Sequence, residues 1–499
     1  FIPFAIYLGL YKGIFRFSGL YSITRIFFTC NIYFFIFYIY IHSSNQRIIE
    51  PSLAVVILQV YFLFFLMAST RTLIVLIYSF SNNFNFKPVA IIYGAGSRGY
   101  KFYKQNNDKY NFIGYIDDND KLIGTRIDKI EIFDKNYFDS LVNKYNVDYL
   151  FVSFSSISKK TKNRIHKLID PYNIGLKILD EIENQRNFVS KKINEVDINS
   201  IVNREINWNK TEINKLINSN NILVTGGGGS IGSELCRQLI KYNPNKIIVF
   251  DNSEFNLYKL NHEITEIIKQ NNLNCNLEFI LGDLSDVDFL EFLFSKNNIN
   301  IVFHAAAYKH VPLLEENILY AVRNNILNTL NLINICLKNG VKNFTFISTD
   351  KAVRSTNIMG LTKRFSEIIL QSYFEKFSSK NNITFTIVRF GNVFASRGSA
   401  VPLFIDQVEK GGPVTITDKL ITRYFMSTIE AVGLVLESTH ISKGGEVFVL
   451  NMGEPIKIYY LIKKIIQLSG FTEKTKEKPR GDIEVQSIGL RPGEKLYEE

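Results

Sequence analysis

The stretch 221-NILVTGGGGSIGSELCRQLI-240 decides the fold. An apolar strand runs into Gly226, Gly229 and Gly232, and a helix follows. Glycines at that spacing permit a tight turn and let the backbone around Ser230 and Ile231 approach a pyrophosphate, which the positive end of the helix also attracts. The next strand, 246-KIIVFDNSE-254, ends at Asp251, 19 residues after Gly232. An acid there can accept both ribose hydroxyls and repels a 2′-phosphate, and no Arg follows directly. NAD is therefore expected over NADP.

Further along, 344-FTFISTDKAVRSTNIMGLTK-363 reads as a strand ending at Ser348, Thr349, Asp350 and Lys351, then a turn, then a helix carrying Met359 and Lys363. Residues at i and i+4 share a helix face, so Met359 and Lys363 look in the same direction. Ligands of open parallel sheets bind at the carboxyl ends of the strands, where Thr349, Asp350 and Lys351 stand. A hydroxyl, an acid and an amine converge there.

The chain has 499 residues, enough for two or three domains. Its net charge of +11 comes from lysines spread along the sequence rather than clustered, which argues against nucleic-acid binding. A basic surface facing anionic lipid and an anionic nucleotide fits better. Cys30, Cys236, Cys275 and Cys336 show neither paired nor metal-ligand spacing, so a reducing compartment is expected and a metal site is not.

Residues 26–41 and 53–70 are apolar, nearly uncharged and close to the ~20 residues a membrane-spanning helix needs. Lys12, Arg16, Arg25, Arg71 and Lys87 on their outer flanks place those flanks in the cytoplasm. Residues 1–11 would be the tail of an earlier span, and the chain is expected to be a fragment at both ends. From Val89 the tract VAIIYGAGSRG gives a strand and then Gly94, Gly96 and Gly99 opening a helix. FIGYIDD follows, with Asp117 and Asp118 where a ribose-binding acid would sit. The glycines serve either a nucleotide or only the strand-to-helix turn. Strands near 149–154 and 175–179 complete this unit.

The tracts TGGGGSIGSEL, HAAAYKHVPLLE, STDKAV, VRFGNVFASRGSAVPLF, TRYFM and RPGEKLYEE, with an apolar region upstream, resemble those of the membrane-bound UDP-N-acetylglucosamine 4,6-dehydratases of polysaccharide and glycan biosynthesis. These belong to the extended short-chain dehydrogenase/reductases, and Met359 stands where Y-x-x-x-K relatives carry Tyr. The resemblance implies an α/β architecture of N-terminal transmembrane helices and two Rossmann-like parallel-sheet domains, the second with a small substrate-binding part. The expected divisions are a membrane region over 1–86, a first nucleotide-type domain over 87–184, a connector over 185–218 and the catalytic domain over 219–499. The implied location is the bacterial inner membrane, multi-pass, with the enzyme domains in the cytoplasm as a homo-oligomer.

The resemblance also assigns residues. Asp283 and Leu284 would contact adenine, Ala305 and Ala306 would let backbone lie against NAD, and Lys363 would serve cofactor and catalysis. His310 belongs to the pocket wall. Asn392, Ser396, Ser399, Arg423 and Arg491, with Arg389 and Arg397 nearby, would hold the nucleotide diphosphate and sugar. Thr415 to Thr417 and the helix after Ser427 would build the smaller part. Asn328 replaces the usual Gly in the tract beginning at Asn325.

In the implied reaction a hydride leaves carbon 4 of the sugar for NAD, the carbon 5 proton is removed, the carbon 6 hydroxyl departs as water, and the hydride returns to carbon 6. Lys351, neutral, would take the carbon 5 proton and Asp350, protonated, would serve the leaving hydroxyl. A thioether exchanges no proton, so Met359 cannot replace the Tyr as base, and Thr349 would pass the carbon 4 hydroxyl proton to Asp350. Two other readings are a UDP-sugar 4-epimerase, which would want the Tyr, and a non-enzymatic membrane scaffold that senses nucleotides.

Overall fold

The computed structural model describes residues 20–43, 53–83, 87–154, 159–179, 208–271, 273, 275–394, 396 and 398–499. The expected early span over 1–11 and the part of the 185–218 connector before residue 208 lie outside them. The chain divides into two compact units, Phe1–Pro88 and Val89–Glu499.

The first unit holds helix α1 (Leu20–Ser43) and helix α2 (Leu53–Asn83). Buried Ile26 and Cys30 pack on Val60, Leu63, Phe64 and Met67, and the rings of Phe27 and Phe64 meet edge to face at 5.6 Å. That seam uses one side of each helix. Phe28, Phe35, Leu58 and Phe65 point away from it, 62–72% exposed. Side chains are described without interruption only over 26–39 and 57–70, and over the described residues no helix is long and apolar enough to cross a membrane. The expectation of two spans is corrected to that extent: helices form where it placed them, and their described apolar runs fall short of the ~20 residues that crossing requires.

The second unit contains two sheets. The first comprises β1 (Val89–Tyr93), β2 (Asn111–Ile116), β3 (Arg126–Ile127), β4 (Ile130–Phe133), β5 (Tyr149–Val152) and β6 (Gly175–Ile178), in the order β3-β4-β2-β1-β5-β6. All its pairs are parallel except β3 with β4. After β1 the chain turns through Gly94 (φ +107°) into helix α3 (Ser97–Asn106). Asp117 at the end of β2 accepts from the Ala95 amide at 2.7 Å, so the two strand ends are tied together.

The larger sheet is parallel throughout. It contains β7 (Asn221–Thr225), β8 (Lys246–Asp251), β9 (Asn276–Leu281), β10 (Ile301–His304), β11 (Asn343–Thr349), β12 (Thr384–Phe390) and β13 (Val447–Val449), in the order β13-β12-β11-β10-β7-β8-β9. Helices cover both faces, so the central strands read as near-continuous apolar runs, and β10 is buried at all four positions. The strand order reverses between β7 and β10, which opens a crevice at their carboxyl ends. His304 at the end of β10 is buried, with one ring nitrogen on the Thr225 hydroxyl (2.7 Å) and the other on Thr329 (2.9 Å). Burial pushes its pKa down to about 3, so the ring is a neutral cross-link between β7, β10 and the helix Asn328–Lys338. Asn328 is itself buried there, in the place of the usual Gly.

Helix α4 (Ser230–Leu239) packs against the helix Thr428–Ile441 through Leu235, Cys236, Leu239, Ala431, Val432, Val435 and Leu436, all in the core. The helix after Ser427 therefore belongs to the large sheet and not to the smaller lobe. Its apolar face is the physical reason, and a Cβ on Gly433 would fall 2.6 Å from the single tryptophan, Trp208. The smaller lobe instead unites the helix Ala400–Glu409, the helix Ile458–Leu468 and a three-stranded sheet of 414–416, 483–487 and 473–474 around Phe404, Val408, Leu461, Ile465 and Ile483.

The first sheet docks on that lobe. The Tyr149 hydroxyl donates to Asp482 at 2.9 Å, Asn173 exchanges hydrogen bonds with the backbone of Glu473 (2.7 and 2.8 Å), and Lys478 donates to the carbonyls of Val147 (2.7 Å) and Asn173 (2.9 Å). Lys464 pairs with Asp170. A Cβ on Gly175 would lie 2.8 Å from the Gly470 carbonyl oxygen, so the backbones approach too closely there for a side chain.

Candidate active site

A cavity of about 1190 Å³ opens at the strand reversal and runs toward the smaller lobe. At one end lie Gly226, Gly229, Ser230, Ile231, Gly232 and Ala305. Gly226 is held at φ +66°, and a Cβ on it would stand 2.6 Å from the Ala306 backbone. The loop is thus closed to side chains and leaves main-chain N–H groups at the start of α4 facing the cavity. Asp251 at the end of β8 is buried and accepts from the amides of Gly228 and Ser253, both at 2.9 Å. Its oxygens retain lone pairs, so this cradle fits a dinucleotide's pyrophosphate and ribose. Ala306, Asp251, Asp283 and Leu284 do not line the cavity. Leu284 is buried, and Asp283 accepts from the amide and hydroxyl of Ser285 (2.8 and 2.6 Å), which hold its pKa below the ordinary carboxylate value.

The middle of the cavity is lined by Thr349, Lys351, Met359 and Lys363. Met359 and Lys363 lie one turn apart on helix α5, the helix Ile358–Asn381. Met359 packs with Leu314 and Ala321, and the buried Lys363 amine donates to the Ile347 carbonyl at 2.7 Å over the face of Phe346. Burial lowers its pKa to about 7, against an opposing pull from Glu367. The Thr349 hydroxyl donates to Asp350 Oδ1 at 2.9 Å, and Lys351 Nζ donates to the same oxygen at 3.0 Å. Asp350 does not line the cavity. Its Oδ2 is buried without a hydrogen-bond partner among the described residues, facing Gly391, where a Cβ would come within 2.7 Å of it.

The far end carries His310, Asn392, Ser396, Ser399, Arg423 and Arg491. Ser399 starts the helix Ala400–Glu409, and its buried hydroxyl makes no hydrogen bond among the described residues. A Cβ on Gly398 would fall 2.8 Å from His310 Nε2, so that imidazole braces the loop. Asn392 Oδ1 accepts from Lys351 at 3.4 Å. Arg423 is spent on its own chain: it donates to the carbonyls of Thr422 (2.7 Å), Leu496 (3.2 Å) and Lys495 (2.8 Å), and pairs with Glu494 and Glu498. It clamps the segment 494–498 and has little left for a diphosphate. Arg389 is turned away as well, pairing with buried Glu367, on which Ser348 also rests. Arg397 lies outside the described residues.

One site residue was not legible from the motifs, and one named there has a geometry they did not announce. Glu498, whose side chain is 3% exposed, lines the cavity from the segment that Arg423 clamps, with Oε1 3.6 Å from Lys351 Nζ and 3.7 Å from Arg423 Nε. The pair of acids closing RPGEKLYEE was its only local signal. Asn325 sits in a π-helical turn, 323–327, where it accepts from the Tyr308 amide (2.9 Å) and donates to Thr362 (3.0 Å), joining the cavity wall to α5.

Residues 222–499 match the family described as "Polysaccharide biosynthesis protein". Capsular polysaccharide biosynthesis protein CapD of Staphylococcus aureus is 36% identical over 426 residues, 83% of this chain and 68% of that protein. UDP-N-acetylglucosamine 4,6-dehydratase (inverting) of Campylobacter jejuni is 34% identical over 291 residues, 57% of this chain and 78% of its own length. UDP-glucose 4-epimerase of Rickettsia canadensis is 32% identical over 277 residues, 56% of this chain and 76% of its own. The matched region takes in the glycine cradle, the Thr349–Lys363 array and the tail that Arg423 clamps, and with more than half of its length inside that match the chain belongs to the polysaccharide biosynthesis protein family.

Proposed function

We propose that the chain catalyses NAD-dependent 4,6-dehydration of UDP-N-acetylglucosamine to a UDP-4-keto-6-deoxy sugar for polysaccharide or glycan assembly. The observation that carries this reading is the Lys351 amine, exposed to the cavity beside Thr349 and Asp350, with Met359 in the position of a tyrosine. When bound, the dinucleotide supplies a hydride acceptor for carbon 4 and returns hydride to carbon 6. Gly226, Gly229, Ser230, Ile231 and Asp251 would hold it. Thr349 takes the carbon 4 hydroxyl proton as it passes its own to Asp350, along the hydrogen bond already present. Lys351, neutral, removes the carbon 5 proton, which the carbon 4 ketone has made acidic. The start of the helix at Ser399 and the exposed Arg491 offer positive potential to the diphosphate.

A UDP-sugar 4-epimerase is the second reading, favoured by the name of the Rickettsia relative. Epimerisation exchanges hydrogen only at carbon 4 and gives Lys351 no work, and Met359 cannot supply the base it needs. A nucleotide-sensing scaffold would not require the Lys351 array at all. Incubating the detergent-solubilised chain with UDP-N-acetylglucosamine and examining the product by NMR separates the three: a 4-keto-6-deoxy sugar supports dehydration, a C4 epimer replaces it with the second reading, and unchanged substrate favours the scaffold.

The same proposal places the chain at the bacterial inner membrane with its second unit in the cytoplasm. The outward-facing Phe28, Phe35, Leu58 and Phe65 support it, because water offers such a surface no stable exposure. It also includes a homo-oligomer, supported by Leu319 (83% exposed), Tyr320, Leu361 and Phe365 on adjoining helices. Sedimentation of a variant with Leu319 and Phe365 changed to Glu should show a smaller species than the parent.

A further inference from the structure

We propose that Glu498 is the acid that protonates the departing carbon 6 hydroxyl. This rests on the dehydratase reading and reassigns one of its steps. Dehydration needs a proton donor inside the cavity, within reach of the base that opens the reaction. Asp350, the donor expected from its place in the motif, fails the first condition: its Oδ1 is occupied by Thr349 and Lys351, and its Oδ2 is turned into the protein beneath Gly391. Glu498 meets both. Its side chain is 3% exposed, it lines the cavity, and Oε1 lies 3.6 Å from Lys351 Nζ. Oε2 is buried and makes no hydrogen bond among the described residues. A buried carboxyl oxygen in that condition calls for a proton or a hydroxyl partner, and the carbon 6 hydroxyl of a sugar in the cavity supplies one.

The step balances. The Lys351 amine takes the carbon 5 hydrogen as a proton, and the C5–H electron pair is held as the enolate of the carbon 4 ketone until it becomes the second bond between carbons 5 and 6. The C6–O bond breaks with its pair on oxygen, which takes the Glu498 proton and leaves as water. Lys351 then returns its proton to carbon 5. One proton has been released at the carbon 4 hydroxyl, to Asp350 through Thr349, and one has been consumed from Glu498. The Lys351 amine, 3.0 Å from Asp350 and 3.6 Å from Glu498, carries the first to the second and restores the starting state. The hydride balance is that of the proposed reaction and does not involve Glu498. Arg423 is then a positioning residue, since its bonds to the 495–496 backbone fix where Glu498 stands.

The test is Glu498→Gln in the full chain, with UDP-N-acetylglucosamine in deuterated water, reading deuterium at carbon 5 of recovered substrate and formation of the 6-deoxy product separately. The expected result is carbon 5 exchange within a few-fold of the parent and product formation slowed by ~10² to 10⁴, with partial recovery in Glu498→Asp. Persisting exchange also shows that the variant is folded. Product formation at the parent rate overturns the inference and leaves the dehydratase reading standing. So does equal loss of exchange and product without recovery by Asp, which marks a structural role. A parent chain that yields only a C4 epimer overturns both.

Discussion

The Asp251 carboxylate bonds the Gly228 amide at 2.9 Å, joining the end of β8 to the middle of the glycine loop. One side chain therefore shapes the cradle and, on the proposed reading, also serves as the acid for the ribose. Asp251→Ala should weaken NAD binding and lower thermal stability together, whereas Asp251→Asn, which keeps one acceptor oxygen for Gly228, should restore more stability than affinity. Calorimetric titration with NAD and NADP, alongside melting curves, checks both. Equal affinity of the parent for the two cofactors would count against the role given to Asp251.

Lys351→Ala should abolish both dehydration and carbon 5 exchange, at a cost of ~10² to 10⁴ in rate. Met359→Leu, which conserves volume in the pocket formed with Leu314 and Ala321, should stay within about tenfold of the parent. Product NMR of the two variants, run side by side, distinguishes loss of chemistry from loss of packing.

The buried Lys363 makes stability depend on pH. Its folded pKa is lowered from 10.5 to about 7, so between those values the unfolded chain binds more protons at this site. The sign is that stability rises with pH across the window, by up to about 1.4 kcal/mol per pH unit, and this gain is lost as pH falls through about 7. Lys363→Met should remove it. Denaturant titrations of parent and variant at both ends of the window measure the difference, and parallel profiles would sink the assignment.

Asp170→Ala should loosen the first sheet from the smaller lobe. Lys464, its partner, is nine-tenths buried, and burial already pulls its pKa down to about 8. Losing the partner should cost on the order of 1–3 kcal/mol, below the figure for an enclosed pair because Asp170 is 39% exposed. Hydrogen exchange should quicken at 170–175 and 464–482, with the 221–249 strands unchanged.

Topology offers a further check. A reporter joined after Arg71 should be active only when designed for the cytoplasm, since the basic flanks of α1 and α2 set the expected orientation. Activity confined to the outer side would overturn the membrane proposal.

What could be read in the sequence was local. The glycine loop, Asp251 and the strand–turn–helix from Phe344 to Lys363 are each written within about thirty residues, so spacing alone placed them. Partnership across the chain was not. The apolar periodicity of the helix Thr428–Ile441 announces a buried face but not that Leu235 and Leu239 cover it. Arg389 and Arg423 stand in motifs that suit an anionic ligand, yet Glu367 and the 495–496 backbone claim them. Glu498 and Lys351 meet only because the tail folds back over the cavity, and no periodicity records that.

That closure has a consequence for synthesis. Domains fold from the amino end as the chain leaves the ribosome. The cradle at 226–232 and the array at 349–363 can both be in place before the clamp of Arg423 on residues 494–498 has anything to grip. A nascent chain could therefore hold dinucleotide and sugar without Glu498 beside Lys351. On the proposed chemistry, the oxidising half would mature before the eliminating half, which waits on the emergence of residues 494–498.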